Sequence, residues 1–331
     1  MTKSYQLAVF LSKIRNGRLA IVLHDSPDPD AIGSGLGLKK IAEKFGIKSD
    51  LMCSGSILNT QNKRTVDMLN IKILDSKTVD FTQYNKIAVV DVSHSGPHLT
   101  IPQNFKINIV IDHHTSETNK TAEFVDIRQT NSCSSIMVDY LKKLKIRLDR
   151  KKDQPLIITL FEGIRIDTNN LLYFNHFDMR AAEYLSRYLD FPLYENIRES
   201  FISEEESRIV AKAINNSVTK NRFKVAYVGE INYKNSFGIV QAVNFLLGLE
   251  SIDTTIVYGC QRNEEGYQIT ASIRNISANR DAGRLSKEIF ETGGGRKESA
   301  GAQVNVSNKK ELEFALKKIN KNINRVVGSA A

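Results

Sequence analysis

Eight residues have the types and the placement for metal-dependent chemistry: His24, Asp28, Asp30, Asp91, Asp112, His113, His114 and Asp167. The run Ile109-Val-Ile-Asp-His-His-Thr-Ser116 is a strand-like apolar stretch that ends abruptly in an acid and two imidazoles. Polar side chains at the end of a buried strand are costly unless something binds there, and in open α/β sheets that end is where ligands sit. His24-Asp-Ser-Pro-Asp-Pro-Asp30 follows a second apolar run. Pro27 and Pro29 hold this loop extended, so Asp28 and Asp30, two apart, share a face. Asp91 closes a third run, Lys86-Ile-Ala-Val-Val-Asp91, and Asp167 falls just past a helix end. Each residue also has a bland use: Asp30 as an N-cap, Asp91 as the start of a turn. Six candidate ligands at successive element ends, His24, Asp28, Asp30, Asp91, His113 and Asp167, outweigh those uses.

Four carboxylates and two imidazoles are too many for one ion. They suit two divalent cations roughly 3.5–4 Å apart, bridged by a shared carboxylate and a water. Oxygen-rich ligation with some imidazole suits Mn²⁺ best, with Mg²⁺, Co²⁺ or Fe²⁺ as alternatives. Such a pair acidifies the bridging water and clamps a phosphoryl oxygen, so the indicated reaction is hydrolysis of a phosphate ester or anhydride. His114 is then placed to contact the phosphate or protonate the leaving oxygen. Asp112 is the neighbour that would hold an imidazole in the needed tautomer.

The elements that must carry these residues alternate strand and helix, which argues for a parallel, helix-covered sheet. Arg18–Leu23 is a compact strand, and Ala31–Phe45 a helix whose positive N-terminal end faces the acidic loop. Thr130-Asn-Ser-Cys-Ser-Ser135 precedes the helix Ile136–Lys145, where its hydroxyls would cap the helix or meet a phosphate. Asp178 stands near the start of a further helix. At 331 residues the chain fits two domains. The pattern places a catalytic domain at 1–190, a charged linker helix at 191–217 and a smaller mixed α/β domain at 218–331.

Composition narrows the class. No apolar run is long enough to span a bilayer and the N-terminus lacks the form of a signal peptide, so a cytoplasmic protein without membrane contact is expected. The three cysteines are far apart, show no paired metal spacing and are expected to be reduced core residues. A net charge of +9 favours anionic partners. The lysines of Lys309–Asn322 are most simply a solvated helix face.

Taken together, His24-Asp-Ser-Pro-Asp-Pro-Asp30, Val89-Val-Asp91, Asp112-His-His114 and Gly163-Ile-Arg-Ile-Asp-Thr168 resemble the four motifs of the DHH phosphoesterases. Ser272-Ile-Arg-Asn275 and Gly293-Gly-Gly-Arg-Lys-Glu-Ser-Ala-Gly301 resemble the DHH-associated substrate-binding domain. The resemblance implies an N-terminal α/β domain with helices on both faces of a parallel sheet, a smaller mixed domain, and a two-Mn²⁺ site in the cleft between them. By motif position, His24 and Asp28 would hold one metal, Asp30, His113 and Asp167 the other, with Asp91 bridging. His114 would face the phosphate, and Arg274 with Gly293, Gly294, Gly295 and Arg296 would bind substrate. Successive glycines also let backbone N–H groups approach an anion.

Size and arrangement look most like the branch of nanoRNA and pAp phosphatases and dinucleotide phosphodiesterases. Pyrophosphatases and exopolyphosphatases of the family are expected to differ in the second domain. The expected activity is therefore hydrolysis of short 5′-phosphorylated oligoribonucleotides or linear dinucleotides, with a homodimer as a plausible assembly. The alternatives are a 3′-phosphatase acting on pAp, a cyclic-di-AMP phosphodiesterase, or a catalytically silent nucleotide sensor. Two departures stand out: Arg296 where the glycine loop usually ends in His, and Asn169-Asn170 where Gly usually follows Asp-Thr.

Overall fold

Short runs of branched apolar residues, each closed by a polar end, form the strands of a parallel sheet in the first of two compact units, Met1–Glu199. The computed structural model describes residues 2–54, 60–92, 99, 101–102, 104–114, 122–198, 203–232, 235–263 and 266–328. Thr115 and Ser116 lie outside them. In chain order the first unit runs α1 (Lys3–Ser12), β1 (Arg18–Val22), α2 (Pro29–Glu43), β2 (Lys48–Cys53), α3 (Thr60–Met68), β3 (Ile73–Asp75) and a 3₁₀ turn, Phe81–Gln83. It continues with β4 (Lys86–Val90), β5 (Ile109–Asp112), β6 (Phe124–Ile127), α4 (Cys133–Lys143), α5 (Gln154–Asp167), α6 (His176–Ser186) and α7 (Phe191–Arg198).

The strand order is β3-β2-β1-β4-β5-β6, with every pairing parallel. The chain steps outward from β1 to β3, then returns to β4 beside β1 and proceeds the other way. The β1/β4 boundary is therefore the switch point, where the loops leaving adjacent strands diverge and open a crevice.

Side-chain alternation sorts the strands into two cores. Leu19, Ile21, Ala88, Val90, Ile109 and Ile111 pack with Leu7, Leu38, Ile136, Leu160, Leu185 and Ile197 from the helices. Ala20, Val22, Ile87, Val89 and Val110 pack with Phe81, Tyr84, Phe105 and Ile107 on the other face. The expected second helical layer is absent there among the described residues. The segment between Asp75 and Lys86 is too short for a crossover helix and holds only the 3₁₀ turn. Three boundaries also differ from expectation: α4 begins at Cys133, Asp167 is the last residue of α5, and Asp28 rather than Asp30 is the N-cap of α2.

The second unit, Ser200–Ala331, contains α8 (Glu204–Asn216), β7 (Val218–Lys220), β8 (Phe223–Glu230), α9 (Phe237–Leu247), β9 (Thr254–Asn263), β10 (Gly266–Asn275), α10 (Ala282–Phe290), β11 (Gly294–Gly295), β12 (Ser299–Val306) and α11 (Lys309–Gly328). Its sheet, ordered β11-β12-β10-β9-β8-β7, is antiparallel except for the parallel pair β8 and β9. The stretch expected to be one linker helix forms two helices. Tyr194 and Ile197 of α7 join the first unit's core, whereas Ile209 and Ala213 of α8 pack with α9 and β8. Glu206 and Ser203 close a reciprocal cap on α8, so its charged residues decorate a helix whose apolar stripe is buried.

Candidate metal centre

The ends of β1, β4 and β5, the start of α2 and the end of α5 bring the sequence-predicted ligands together. Three sets have ligand atoms within 4.8 Å of one another: His24, Asp28 and Asp91; Asp30, His113 and Asp167; and Asp91, Asp112, His113 and His114. His113 Nε2 lies 3.3 Å from Asp91 Oδ1, 3.4 Å from Asp167 Oδ2 and 3.8 Å from Asp30 Oδ2. His24 Nε2 lies 4.0 Å from Asp91 Oδ2 and 3.9 Å from Asp28 Oδ1. Asp91 thus turns one oxygen to each imidazole.

Backbone carbonyls set the tautomers. His113 Nδ1–H donates to Thr130 O at 3.2 Å and His24 Nδ1–H to Asp25 O at 3.0 Å. A carbonyl can only accept, so each Nε2 carries a bare lone pair. Those lone pairs face carboxylate oxygens. Both Asp91 Oδ1 and His113 Nε2 are buried without a hydrogen-bond partner. Two opposed acceptors at 3.3 Å repel unless a proton or a cation lies between them, and a divalent cation fits this donor set.

Each acid has its own support. Asp28 Oδ1 accepts from Asp30 N and Ala31 N, both at 3.0 Å, as an N-cap does. Asp30 takes Cys133 N on Oδ2 and Ser134 N on Oδ1, each at 2.7 Å. The α4 N-terminus that the sequence offered to a phosphate is therefore used by Asp30, and the cap comes from Ser132, whose Oγ accepts from Ser135 N at 3.2 Å. Asp112 Oδ1 accepts from His113 N, His114 N and His114 Nδ1 at 2.7, 3.2 and 2.8 Å. Asp91 sits in the left-handed region, φ 58°, which turns the chain sharply out of the sheet at a residue type that tolerates it.

The electrostatics follow from crowding. Burial, then the charges of Asp30, Asp28, Asp167 and Asp112, push the Asp91 carboxyl well above the usual carboxylate range. Burial also raises Asp30, with Asp28 adding to it against the pull of His113. Burial lowers His113, and its neighbour His114 adds to that. At Asp91, Asp30 and His113 the site disfavours the charged forms until a cation arrives, whereas, against the effect of burial, His24 is raised and Asp28 lowered by their mutual contact.

Close helix approach delivers Asp167. A Cβ on Gly163 would meet Ser134 Oγ at 2.5 Å and Asp30 Cα at 2.8 Å, so only glycine lets α5 lie this near the start of α2. After Asp167 the chain makes a tight turn in which Asn169, Asn170 and Leu171 have φ of 50°, 58° and 65°. The Asn pair thus stands where left-handed geometry explains the glycine expected from the motif. Tyr173 N donates to Thr168 O at 2.9 Å, and beyond it Leu172, Tyr173 and Phe174 are 71%, 57% and 46% exposed. The sequence did not single out this apolar shoulder.

In the second unit, Arg274 on β10 is partly buried and, among the described residues, donates to Ser272 Oγ and Ile273 O, at 3.2 and 3.0 Å. No described carboxylate pairs with it within 4.0 Å, and burial lowers its pKa. Gly294 and Gly295 form a short strand against Gly301 and Ala300. A Cβ on Gly293 would meet Ser286 Oγ at 2.0 Å, and Gly295, φ 151°, would meet Ser299 O at 2.4 Å. Packing thus accounts for two of the three glycines. Gly294 opens onto free space, and Arg296 is exposed.

Comparison with known proteins decides the family. Residues 18–162 match the model of the DHH family, N-terminal domain. The first unit belongs to the DHH family. The acid and imidazole ends of this DHH domain lie within the matched span except for Asp167, which follows it in the same helix. An uncharacterized protein of Methanocaldococcus jannaschii, MJ1633, is 36% identical over 86% of this chain, and the chain spans 58% of that protein's length. A second, MJ0988 of the same organism, is 24% identical, with 93% of this chain and 94% of that protein aligned. An exopolyphosphatase-related protein from Bacteroides fragilis shares the fold over 99% of this chain and 97% of its own, with a TM-score of 0.72 at 15% identity. The expected difference in the second domain therefore does not separate this chain from a protein of that name by fold.

Proposed function

We propose that this centre holds two divalent cations, foremost Mn²⁺, and hydrolyses the phosphodiester of short 5′-phosphorylated oligoribonucleotides or linear dinucleotides such as pApA, releasing nucleoside 5′-monophosphates. The observation that carries the reading is the buried, partnerless pair of Asp91 Oδ1 and His113 Nε2, 3.3 Å apart amid further carboxylates. His24 and Asp28 would hold one cation, Asp30, His113 and Asp167 the other, and Asp91 both. When bound, such a pair supplies an acidified water and a clamp for the phosphoryl oxygen.

The chain's own groups do the rest. Asp25 O and Thr130 O keep both imidazoles in the ligating tautomer. Asp112 takes the Nδ1–H of His114, which leaves the half-exposed ring free to present Nε2 to a phosphate or leaving oxygen. Arg274 is a cation with no carboxylate partner among the described residues, and with Arg296 and Gly294 it suits an anionic substrate. The exposed Tyr173 and Phe174, six and seven residues after Asp167 in the chain, offer aromatic faces suited to stacking on a nucleobase.

Product release from 5′-phosphorylated diadenylate with Mn²⁺ and with chelator, run beside pAp, cyclic di-AMP and a long RNA, tests the proposal. Metal-dependent AMP, fastest from the dinucleotide, is the expected result. Faster phosphate release from pAp, or turnover of none of the four by metal-loaded protein, would overturn it.

A further inference from the structure

Asp178 is fully buried on α6 and is not one of the candidate ligands. Its Oδ1 accepts from Thr130 Oγ1 at 2.8 Å and Ser135 Oγ at 2.7 Å. Its Oδ2 accepts from Asn131 Nδ2 at 2.6 Å and Asn175 N at 3.3 Å. A helix cap needs only the last of these bonds. The other three tie one carboxylate to Thr130–Ser135, a loop that runs into the first turn of α4, and charge-assisted bonds of this kind are the stronger ones.

That loop orients two candidate ligands at once. Thr130 O takes the Nδ1–H of His113 at 3.2 Å, and Cys133 N and Ser134 N take the two oxygens of Asp30 at 2.7 Å. His113 and Asp30 form one set with Asp167. The other set is supported from elsewhere: His24 is oriented by Asp25 O, and Asp28 by the first N–H groups of α2.

We propose that Asp178 is a positioning residue for one half of the centre: by fixing the Thr130–Ser135 loop it sets the cation affinity of the Asp30, His113 and Asp167 subsite and leaves that of the His24 and Asp28 subsite unchanged. The inference rests on the two-cation reading above. Its physical basis is that an outer partner holds ligand direction, and loss of such partners weakens metal affinity about 10- to 100-fold.

The test is calorimetric titration of the metal-free 331-residue chain with Mn²⁺, beside thermal melting. Wild type should bind two ions. Asp178→Ala should weaken one site about 10- to 100-fold and the other by less than about threefold. Asp178→Asn, which keeps shape and one acceptor, should fall between. Asn175→Ala removes the α6 cap but not the hold on the loop, so it should lower the melting temperature and leave both affinities in place.

Two backgrounds identify the site. With His24→Ala, adding Asp178→Ala should weaken the remaining ion; with Asp167→Ala, it should not. Unchanged affinities in Asp178→Ala, or equal weakening of both sites in step with melting, would overturn the inference. If Asp178→Ala does not fold, unchanged affinities in Asp178→Asn overturn it equally. A wild type that binds only one ion would instead remove the two-cation reading, and the claim of selectivity with it.

Discussion

Two of the places where the first unit buries carboxylates treat them differently. At the β6 edge, Asp126 accepts from Arg128 Nη2 and Nε at 2.7 and 3.0 Å and from the Tyr140 hydroxyl, while Arg128 Nη1 reaches Asp139 at 2.7 Å. The guanidinium also lies over the Tyr140 ring, 5.2 Å from its centroid. At the switch point, Asp28, Asp30, Asp91 and Asp167 surround two imidazoles. Among the described residues no Lys or Arg comes within 4.0 Å of Asp30, Asp91 or Asp112. The first cluster carries its own cation and is structural. The second is built from the same acids, and among the described residues Asp30, Asp91 and Asp112 have no such partner, which is what a site able to take an external cation requires.

The largest test of that contrast is Asp91→Asn. Turnover should fall at least about a thousandfold, because the group facing both imidazoles is lost. The metal-free protein should melt no lower than wild type, since a crowded buried charge has been removed. A clear fall in the metal-free melting temperature would show that Asp91 is structural after all.

Asp126→Ala should behave in the opposite way. It leaves Arg128 half-paired in a buried setting and should cost about 3 kcal/mol of stability, read by urea unfolding, with Mn²⁺ affinity held within a few-fold. Loss of Mn²⁺ binding without loss of stability would erase the distinction between the clusters.

The pH dependence should also separate metal-free from metal-loaded protein. Because the folded-state pKa of Asp91 is raised by burial and neighbouring acids, the folded state holds more protons than the unfolded one above the ordinary carboxylate range. The part of the metal-free protein's stability that Asp91 contributes is then greatest at the acid end of that window and falls as pH rises toward the raised value, while His113, whose pKa burial lowers, contributes in the opposite sense. Added Mn²⁺ should reverse the trend, because ligation competes with protons and strengthens with pH. Denaturant midpoints with chelator and with Mn²⁺, across about pH 5 to 8, check both signs. A chelated protein whose pH dependence is the same in Asp91→Asn as in wild type would contradict the crowding argument.

The smallest expected effect lies in the other unit: Arg296→Ala should raise KM several-fold with kcat nearly unchanged, since an exposed guanidinium contributes binding alone. A fall in kcat at saturating substrate would give it a direct part in the reaction.

The parallel sheet and the cluster of acids and imidazoles at its strand ends were legible in the sequence because both leave local marks. An apolar run that stops on Asp91 or on Asp112-His113-His114 shows its strand end directly. The second face of that sheet was not legible. Whether a layer is helical depends on the length and path of connections such as Ser76–Asn85, and alternation along a strand does not reveal what covers each side. The linker helix failed for a similar reason: charge on Glu204, Glu205 and Glu206 was visible, but the neighbours of Ile209 and Ala213 were not.

By itself the sequence determined which side chains could ligate; the extended Asp-Pro-Asp loop it suggested is instead an N-cap and the first residues of α2, with Asp28 and Asp30 in different sets. Residue chemistry belongs to single positions, so a sequence carries it whole. Only the tertiary structure decided that Asp91 would turn one oxygen to His113 and the other to His24. It also decided that Asp30 would occupy the α4 N-terminus, that Gly163 would allow α5 so close, and that Asp178 would anchor the loop behind His113. Those contacts join residues far apart in the chain, and their geometry is fixed by helix and strand packing.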